Sequence, residues 1–140
     1  MRCAPVVLML AASALALSGC RYGQYSDVDL QASVKALQSI AAEGSLMAND
    51  AARGRSMTTF MRTHGQDLSD QAEHEAEKMS DAPLAPGIEK RVAKAISLAS
   101  DIGSSIDDLR VNPRQRKAAV TAAKDLQSYA RQVQQLGGSG

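Results

Sequence analysis

Three side chains, Met47, Met61 and His64, have types and spacing that could hold a soft metal ion. Met61 and His64 are three residues apart, and so they would share one face of a helix. An imidazole with two thioethers is a ligand set that suits Cu(I). The other interpretation is a hydrogen-bonded core histidine beside methionines that fill gaps in the packing. We expect this second arrangement and keep copper binding or sensing as the alternative function.

A second group of polar residues comprises Asp70, Glu73, His74, Glu75, Glu77 and Asp81. A di-iron carboxylate bundle needs a Glu-x-x-His pair on each of two helices. Gln71 stands three residues before His74, and Met61 stands three residues before His64, so neither pair is present. We therefore expect these acidic residues to form ion pairs with the basic residues of segment 89–94, across a helical hairpin. Glu75 is the exception, because it falls on the apolar face and marks either a slip in that face or a buried ion pair.

No pattern typical of an enzyme occurs in the chain. It has no Gly-rich phosphate loop, no Gly-x-Ser-x-Gly sequence and no His-Glu-x-x-His sequence. The 16 basic and 15 acidic residues nearly balance, and only four residues are aromatic. A basic patch with interleaved aromatic residues, which is typical of nucleic-acid binding, is therefore missing. We expect a non-enzymatic protein that needs no cofactor and binds no nucleic acid.

Cys20 ends an apolar N-terminal run. The run begins after the positive start Met1-Arg2, extends over residues 6–17, and leads into the tetrapeptide Leu17-Ser18-Gly19-Cys20. A run of about 12 residues is too short to span a bilayer, which takes roughly 20. A positive start, an apolar stretch and small residues before the cut are the three parts of a secretory signal. The whole segment resembles the signal peptide and lipobox of bacterial lipoprotein precursors.

The resemblance implies cleavage between Gly19 and Cys20 and a diacylglycerol on the sulfur of Cys20. Two acyl chains hold a protein stably at a membrane. Ordinary cleavage that leaves a free thiol is the alternative. Cys3 would leave with the signal, so the lipidated protein would have no thiol. Arg21 follows in place of the aspartate that commonly retains such proteins in the inner membrane. We therefore expect a lipid anchor on the exported side, at the outer membrane of a diderm cell or at the only membrane of a monoderm cell.

Four segments after Cys20 carry apolar residues at helical spacing. The third is the most regular, and its apolar positions are Ile88, Val92, Ala95, Ala99, Ile102, Ile106 and Leu109. The second begins at Met57 and contains His64 and Glu75 on its apolar face.

Signals for helix ends divide these segments. Ser26 and Asp29 predict a capping box at the first start, and Gly54 predicts the first stop. Ser56 is the predicted N-cap of the second segment. Asn112 is the predicted cap of the fourth, with Pro113 in its first turn and Gln115 completing the box.

Four helices of about 24 residues with short connections predict an all-α, antiparallel, up-down-up-down four-helix bundle. A three-helix arrangement and a dimer of long hairpins are the alternatives. The predicted organisation is a cleaved signal peptide (1–19), a lipidated tether (20–25), the bundle (26–136) and a flexible tail (137–140). Folding the chain at its loops places Gly44, Gly65 and Gly103 in one layer, which indicates either close packing or a small cavity.

We expect this lipid-anchored bundle to mediate protein–protein contact or structural support at the membrane surface. The first helix starts close to the anchor, so the turns near Gly54 and Asn112 should point away from the membrane. The partner is an unidentified envelope protein or a second copy of the chain. The predicted partner surface on these turns consists of Arg53, Arg55, Arg110, Arg114 and Arg116.

Overall fold

The structure, a computed structural model, describes residues 23–138. The predicted signal peptide, the lipobox with Cys20, and the last two residues lie outside this part of the chain. Four helices make up most of the described residues: α1 (Asp27–Ala52), α2 (Thr58–Asp81), α3 (Glu89–Val111) and α4 (Arg116–Gly137). None of these helices is both long enough and apolar enough to cross a membrane.

The helices form the antiparallel, up-down-up-down four-helix bundle that the sequence predicts. The helix α1 packs mainly along α4, and α2 packs mainly along α3. The helix α3 also contacts α4, and this contact is more extensive than the contacts of α1 with α2 and with α3. The bundle is therefore two tight helix pairs joined chiefly through α3 and α4, with a more open seam between α1 and α2.

The predicted apolar faces form the core. All seven predicted positions of the third segment are buried. On α2, Met61, Leu68, Ala72 and Met79 are buried in the same way. Met57 is the exception, because it precedes the helix and leaves 75% of its surface exposed. Burial of apolar surface at helical spacing holds the four helices together.

Two predicted helix ends are confirmed. Ser26 and Asp29 form the reciprocal capping box at the start of α1. The helix α1 ends at a Schellman motif, in which Gly54 adopts a left-handed φ of 70°. The N–H groups of Gly54 and Arg55 donate to the carbonyls of Ala51 and Asp50, at 3.0 and 2.9 Å. A residue with a Cβ would be strained at this φ, so glycine fits here.

Two predicted N-caps, Ser56 and Asn112, are wrong. Met57 and Gln115 occupy the N-cap positions of α2 and α4, and neither makes a side-chain cap hydrogen bond. Asn112 ends α3, and its carbonyl accepts a hydrogen bond from the N–H of Gln115 at 3.1 Å. Pro113 thus occupies the second position of a β-turn, which its fixed φ favours, and not the first turn of the helix.

The predicted layer of three glycines is wrong for Gly103. A Cβ added at Gly65 would lie 3.3 Å from the Cβ of Arg110, which is seven residues beyond Gly103. At 1.5 Å per residue, Gly103 is about 10 Å from the height of Gly65. The chain runs extended beside Tyr25 before it turns at Gly87, whereas the prediction assumes a turn at residue 84.

Gly44 marks close packing. A Cβ there would lie 3.0 Å from Cγ1 of Ile106 and 3.2 Å from Cδ1 of Leu126. Such distances are closer than the normal approach of two carbon atoms. The absence of a side chain at Gly44 therefore lets α1 approach α3 and α4.

Tyr25 joins the start of α1 to the α2–α3 connection. Its N–H donates to the carbonyl of Pro83 at 2.8 Å, and its carbonyl accepts from the N–H of Ala85 at 3.0 Å. Gln31 Nε2 also donates to the carbonyl of Gly137 at 3.0 Å. The start of α1, the α2–α3 connection and the end of α4 therefore lie at one end of the bundle. The other two connections lie at the opposite end.

Candidate functional site

The two connections opposite Tyr25 border a cleft with a volume of about 340 Å³. One connection turns at Gly54, and the other turns at Pro113. This volume is close to the lower limit of small-molecule sites, which range from about 300 to 1,000 Å³. We call it the arginine cleft, after its charged and hydroxyl lining: Arg53, Ser56, Thr58, Arg114 and Arg116.

Positive charge is concentrated at this end of the bundle. Between residues 51 and 66 the chain has three arginines and no acidic residue. Between residues 109 and 124 it has three arginines and two lysines, again without an acidic residue. These two intervals surround the two connections, so the chain is nearly neutral as a whole but strongly positive here. Such a surface attracts anions.

The five arginines of the predicted partner surface divide into two groups. Arg55 pairs with Asp50 at 2.7 Å, and Arg110 pairs with Asp107 at 2.8 Å. The hydrogen bond to Asp107 raises the pKa of Arg110 above its ordinary value. The remaining three arginines line the arginine cleft, are exposed, and make no ion pair with any described residue.

Sequence analysis missed Arg62. This exposed residue lies on α2 and, with Arg114 and Thr58, lines a second recess next to the arginine cleft. It is four residues after Thr58, and so it lies one turn into a helix that starts at this end. A count of all basic residues within one helical turn of the two connections would have identified it.

The helices α2 and α4 both begin at this end of the bundle. Neither has an acidic residue in its first turn or a side-chain cap. In contrast, α1 and α3 begin at the opposite end with acidic first turns. A helix N-terminus carries a partial positive charge and free N–H groups. The first turns of α2 and α4 therefore add to the positive potential of the arginines.

Apolar side chains are also exposed near the arginine cleft. Met57 and Val111 leave 75% and 61% of their surfaces exposed, and Phe60 is half-exposed. Met57 lies directly before α2, and Val111 is the last residue of α3. This end of the bundle, with the arginine cleft, Arg62, Met57 and Val111, is called the arginine end. It combines charge with accessible apolar surface, a combination suited to contact with another molecule.

No family model matches the chain. No curated protein and no solved structure matches it either.

His64 is hydrogen-bonded. Its Nε2 lies 2.9 Å from Oε1 of Glu43 on α1. Its ring stacks on Phe60, with the ring centroids 5.0 Å apart. Met61 and Met47 are buried in the core, whereas the histidine is partly exposed. The geometry favours a histidine in a hydrogen bond over a ligand set made with the two thioethers.

An acidic groove of about 380 Å³ lies along the open seam between α1 and α2. Its charged lining includes Glu43, Asp70 and Glu75, together with His74. Within residues 23–138, no group of three His, Cys, Asp or Glu side chains could hold a metal ion.

The predicted ion pairs between segment 70–81 and segment 89–94 are wrong. Glu75 pairs with Lys78 of its own helix at 3.5 Å, and Arg91 pairs with Asp27 of α1. Among the described residues no ion pair joins α2 to α3. The turn at Gly87 shifts the register of the hairpin, so the opposite charges do not meet.

Proposed function

We propose that this protein is a lipid-anchored component of the bacterial envelope that presents its arginine end to a second, negatively charged envelope component. It acts by binding and not by catalysis. The observation that carries the proposal is the position of the arginine cleft, at the end of the bundle opposite Tyr25.

Tyr25 limits how far the bundle can lie from a lipid on Cys20. The five Cα–Cα steps from Cys20 to Tyr25 reach at most about 18 Å when the chain is fully extended. The helix α1 has 26 residues and is about 39 Å long. With Cys20 in a bilayer, the end that contains Tyr25 stays near the surface and cannot exchange places with the arginine end. An upright bundle then holds its arginines about 40 Å out from the anchor.

The three cleft arginines make no ion pair with any described residue, and this observation supports an anionic partner. An arginine that is paired within its own chain contributes little to an interface. In contrast, an unpaired arginine raises the association rate and selects partners of opposite charge. Arginine is also among the residues that most often dominate binding energy. Met57 and Val111 add exposed apolar surface beside these charges.

The anchor is tested by metabolic labelling of cells with an alkyne analogue of palmitate. The full-length chain should incorporate the label and fractionate with membranes, whereas a Cys20→Ser variant should do neither. Equal labelling of both chains would contradict the lipid anchor. This test is independent of the arginine end.

The binding end is tested by placing a photocrosslinking amino acid at Val111 in cells. Val28 provides a matched control, because it is an exposed valine at the opposite end of the bundle. We expect adducts from Val111 that are weaker from Val28 and that decrease in an Arg53→Gln/Arg114→Gln/Arg116→Gln variant. Adducts of equal strength from both positions, or none at either, would contradict the proposal. An adduct of twice the protein's mass would identify a second copy of the chain as the partner.

A further inference from the structure

We propose that the arginine cleft is a binding site for a phosphate group. This inference rests on the proposed function for the place of the site, and it names the chemical class that the site recognises. The charged lining of the cleft comes from distant parts of the chain: Arg53 from the first connection, Arg114 from the third connection, and Arg116 from the first residue of α4. The site therefore exists only in the folded bundle.

The number of donors in the cleft favours phosphate over carboxylate. A guanidinium group presents a planar fork that matches two oxygens of either anion. One carboxylate has two oxygens, and so a single arginine satisfies it. Three arginines line the cleft. A phosphate group has three or more oxygens around one centre and up to two negative charges, so it can use several of these donors at once.

Hydroxyl and backbone donors complete this set. Ser56 and Thr58 line the same cleft and supply hydroxyl groups. Thr58 and Arg116 are the first residues of α2 and α4, whose initial N–H groups have no side-chain cap. Helix N-termini favour phosphate groups through these N–H groups and the helix dipole. They act here in support of the arginines.

Two aspartates at this end of the bundle are already paired with arginines outside the cleft. Asp50 pairs with Arg55, and Asp107 pairs with Arg110. No carboxylate is among the residues that line the cleft. A bound phosphate would therefore be the counterion that the three cleft arginines lack within the described chain.

The test is a titration of the full-length protein, held in zwitterionic nanodiscs, with pyrophosphate as the probe. Amide NMR signals of Thr58 and Arg116 report on the cleft. We expect saturable shifts at these positions, and little change at Val28. Acetate at equal ionic strength should give no saturable shift, because it has one carboxylate. Binding should weaken as salt is added, because the charges are exposed.

Substitution separates the cleft from general electrostatics. Arg114→Gln should weaken pyrophosphate binding at least about fivefold, because a charged hydrogen-bond donor is lost. The triple variant Arg53→Gln/Arg114→Gln/Arg116→Gln should lose saturable binding. Arg131→Gln is the matched control: it removes one exposed arginine from α4, some 15 residues from the start of that helix, and should change binding less than about twofold. All of the substituted arginines are exposed, and circular dichroism would check that each variant remains folded.

A second arm identifies the source of the phosphate. Vesicles of phosphatidylcholine with an anionic phospholipid would bind to the nanodisc-held protein if a lipid headgroup is the ligand. Binding of pyrophosphate without binding of vesicles would indicate a soluble or polymeric phosphate.

Equal binding of acetate and pyrophosphate, or retention of binding by the triple variant, would overturn the phosphate site. If the Val111 crosslink then persists, the proposed partner contact stands without a phosphate. If pyrophosphate binds but the crosslink is absent, the proposed contact fails on its own.

Discussion

The hydroxyl of Tyr25 donates a hydrogen bond to Oγ of Ser33 at 2.7 Å, and both side chains are buried. The same hydroxyl lies 3.1 Å from the carbonyl oxygen of Asp29. Burial raises the pKa of Tyr25, and the negative charges of Glu75 and Asp29 act in the same direction. Tyr25 is therefore a structural residue that fixes the start of α1, although it falls within the predicted tether of residues 20–25.

Tyr25→Phe should lower the free energy of unfolding by about 1–2 kcal/mol, because the buried hydroxyl of Ser33 loses its partner. Urea denaturation monitored by circular dichroism measures this change. Ser33→Ala is the matched variant. The double variant should be less destabilised than the sum of the two single variants, since both remove the same hydrogen bond. Additive effects would contradict the coupling.

Gly44→Ala and Gly103→Ala should have opposite effects on stability. Alanine gains about 1 kcal/mol of helix propensity over glycine at both positions. At Gly44 the new methyl group would lie 3.0 Å from Ile106, so overpacking should cost about 1–3 kcal/mol and leave a net destabilisation of up to about 2 kcal/mol. At Gly103 the new methyl group would lie 3.7 Å from its nearest neighbour, Oγ of Ser69, so the gain in helix propensity should be retained. Thermal unfolding of the two variants tests this, and an equal change in melting temperature would refute the difference in packing.

The capping box at the start of α1 should make stability depend on pH in the acid range. Hydrogen bonds from the side chain and backbone of Ser26 lower the pKa of Asp29 from its ordinary value of 3.8. A carboxylate with a lowered pKa stabilises the folded state fully above its unfolded pKa, and the contribution is lost as pH falls through the lowered value. Asp29→Asn should therefore flatten the fall in the free energy of unfolding between about pH 5 and pH 2. Asp101→Asn, an exposed change on α3, provides the control, and an equal slope in both variants would argue against this role for Asp29.

The ion pair between Arg91 and Asp27 should be replaceable by an apolar contact. Nη1 of Arg91 is buried without a hydrogen-bond partner, while Nη2 contacts Asp27. Asp27→Ala should lower the free energy of unfolding by about 1 kcal/mol. The loss is small because Asp27 is partly exposed and water screens its charge. Arg91→Met keeps the packing of the long side chain and should cost less, or stabilise. Urea denaturation would rank the two variants, and a larger loss for Arg91→Met would show that the pair itself is stabilising.

The sequence predicts most of the helical architecture because the relevant interactions are local. Apolar residues at helical spacing identify the four helices, as on α3 from Val92 to Leu109. The capping box of Ser26 and the left-handed position of Gly54 depend on residues within one turn of the helix end. The failures at Ser56 and Asn112 have a common cause. Both are side chains that could cap a helix, but the turn geometry around them decided where the helix starts.

The site depends on residues far apart in the sequence, and there the prediction is less complete. Sequence analysis places Arg53 and Arg114 at the same end, since an antiparallel bundle brings alternate connections together. Two further features were not predicted, although the aspartates that pair with Arg55 and Arg110 are only five and three residues away in the sequence. Arg55 and Arg110 form ion pairs with neighbouring aspartates. Arg62 lies within α2 and lines a recess at the arginine end.

The amino-acid sequence by itself determined the helices, their antiparallel order and the lipobox-like segment, because each follows from composition and spacing along one stretch of chain. Only the tertiary structure decided which arginines are left without partners, where Tyr25 is bonded, and that His64 faces Glu43. The physical reason is that such contacts join groups from different helices and turns, whose relative positions are set by packing. His64 on α2 meets Glu43 on α1, and the extended chain beside Tyr25 moves the α2–α3 turn to Gly87, which changes the contacts between α2 and α3.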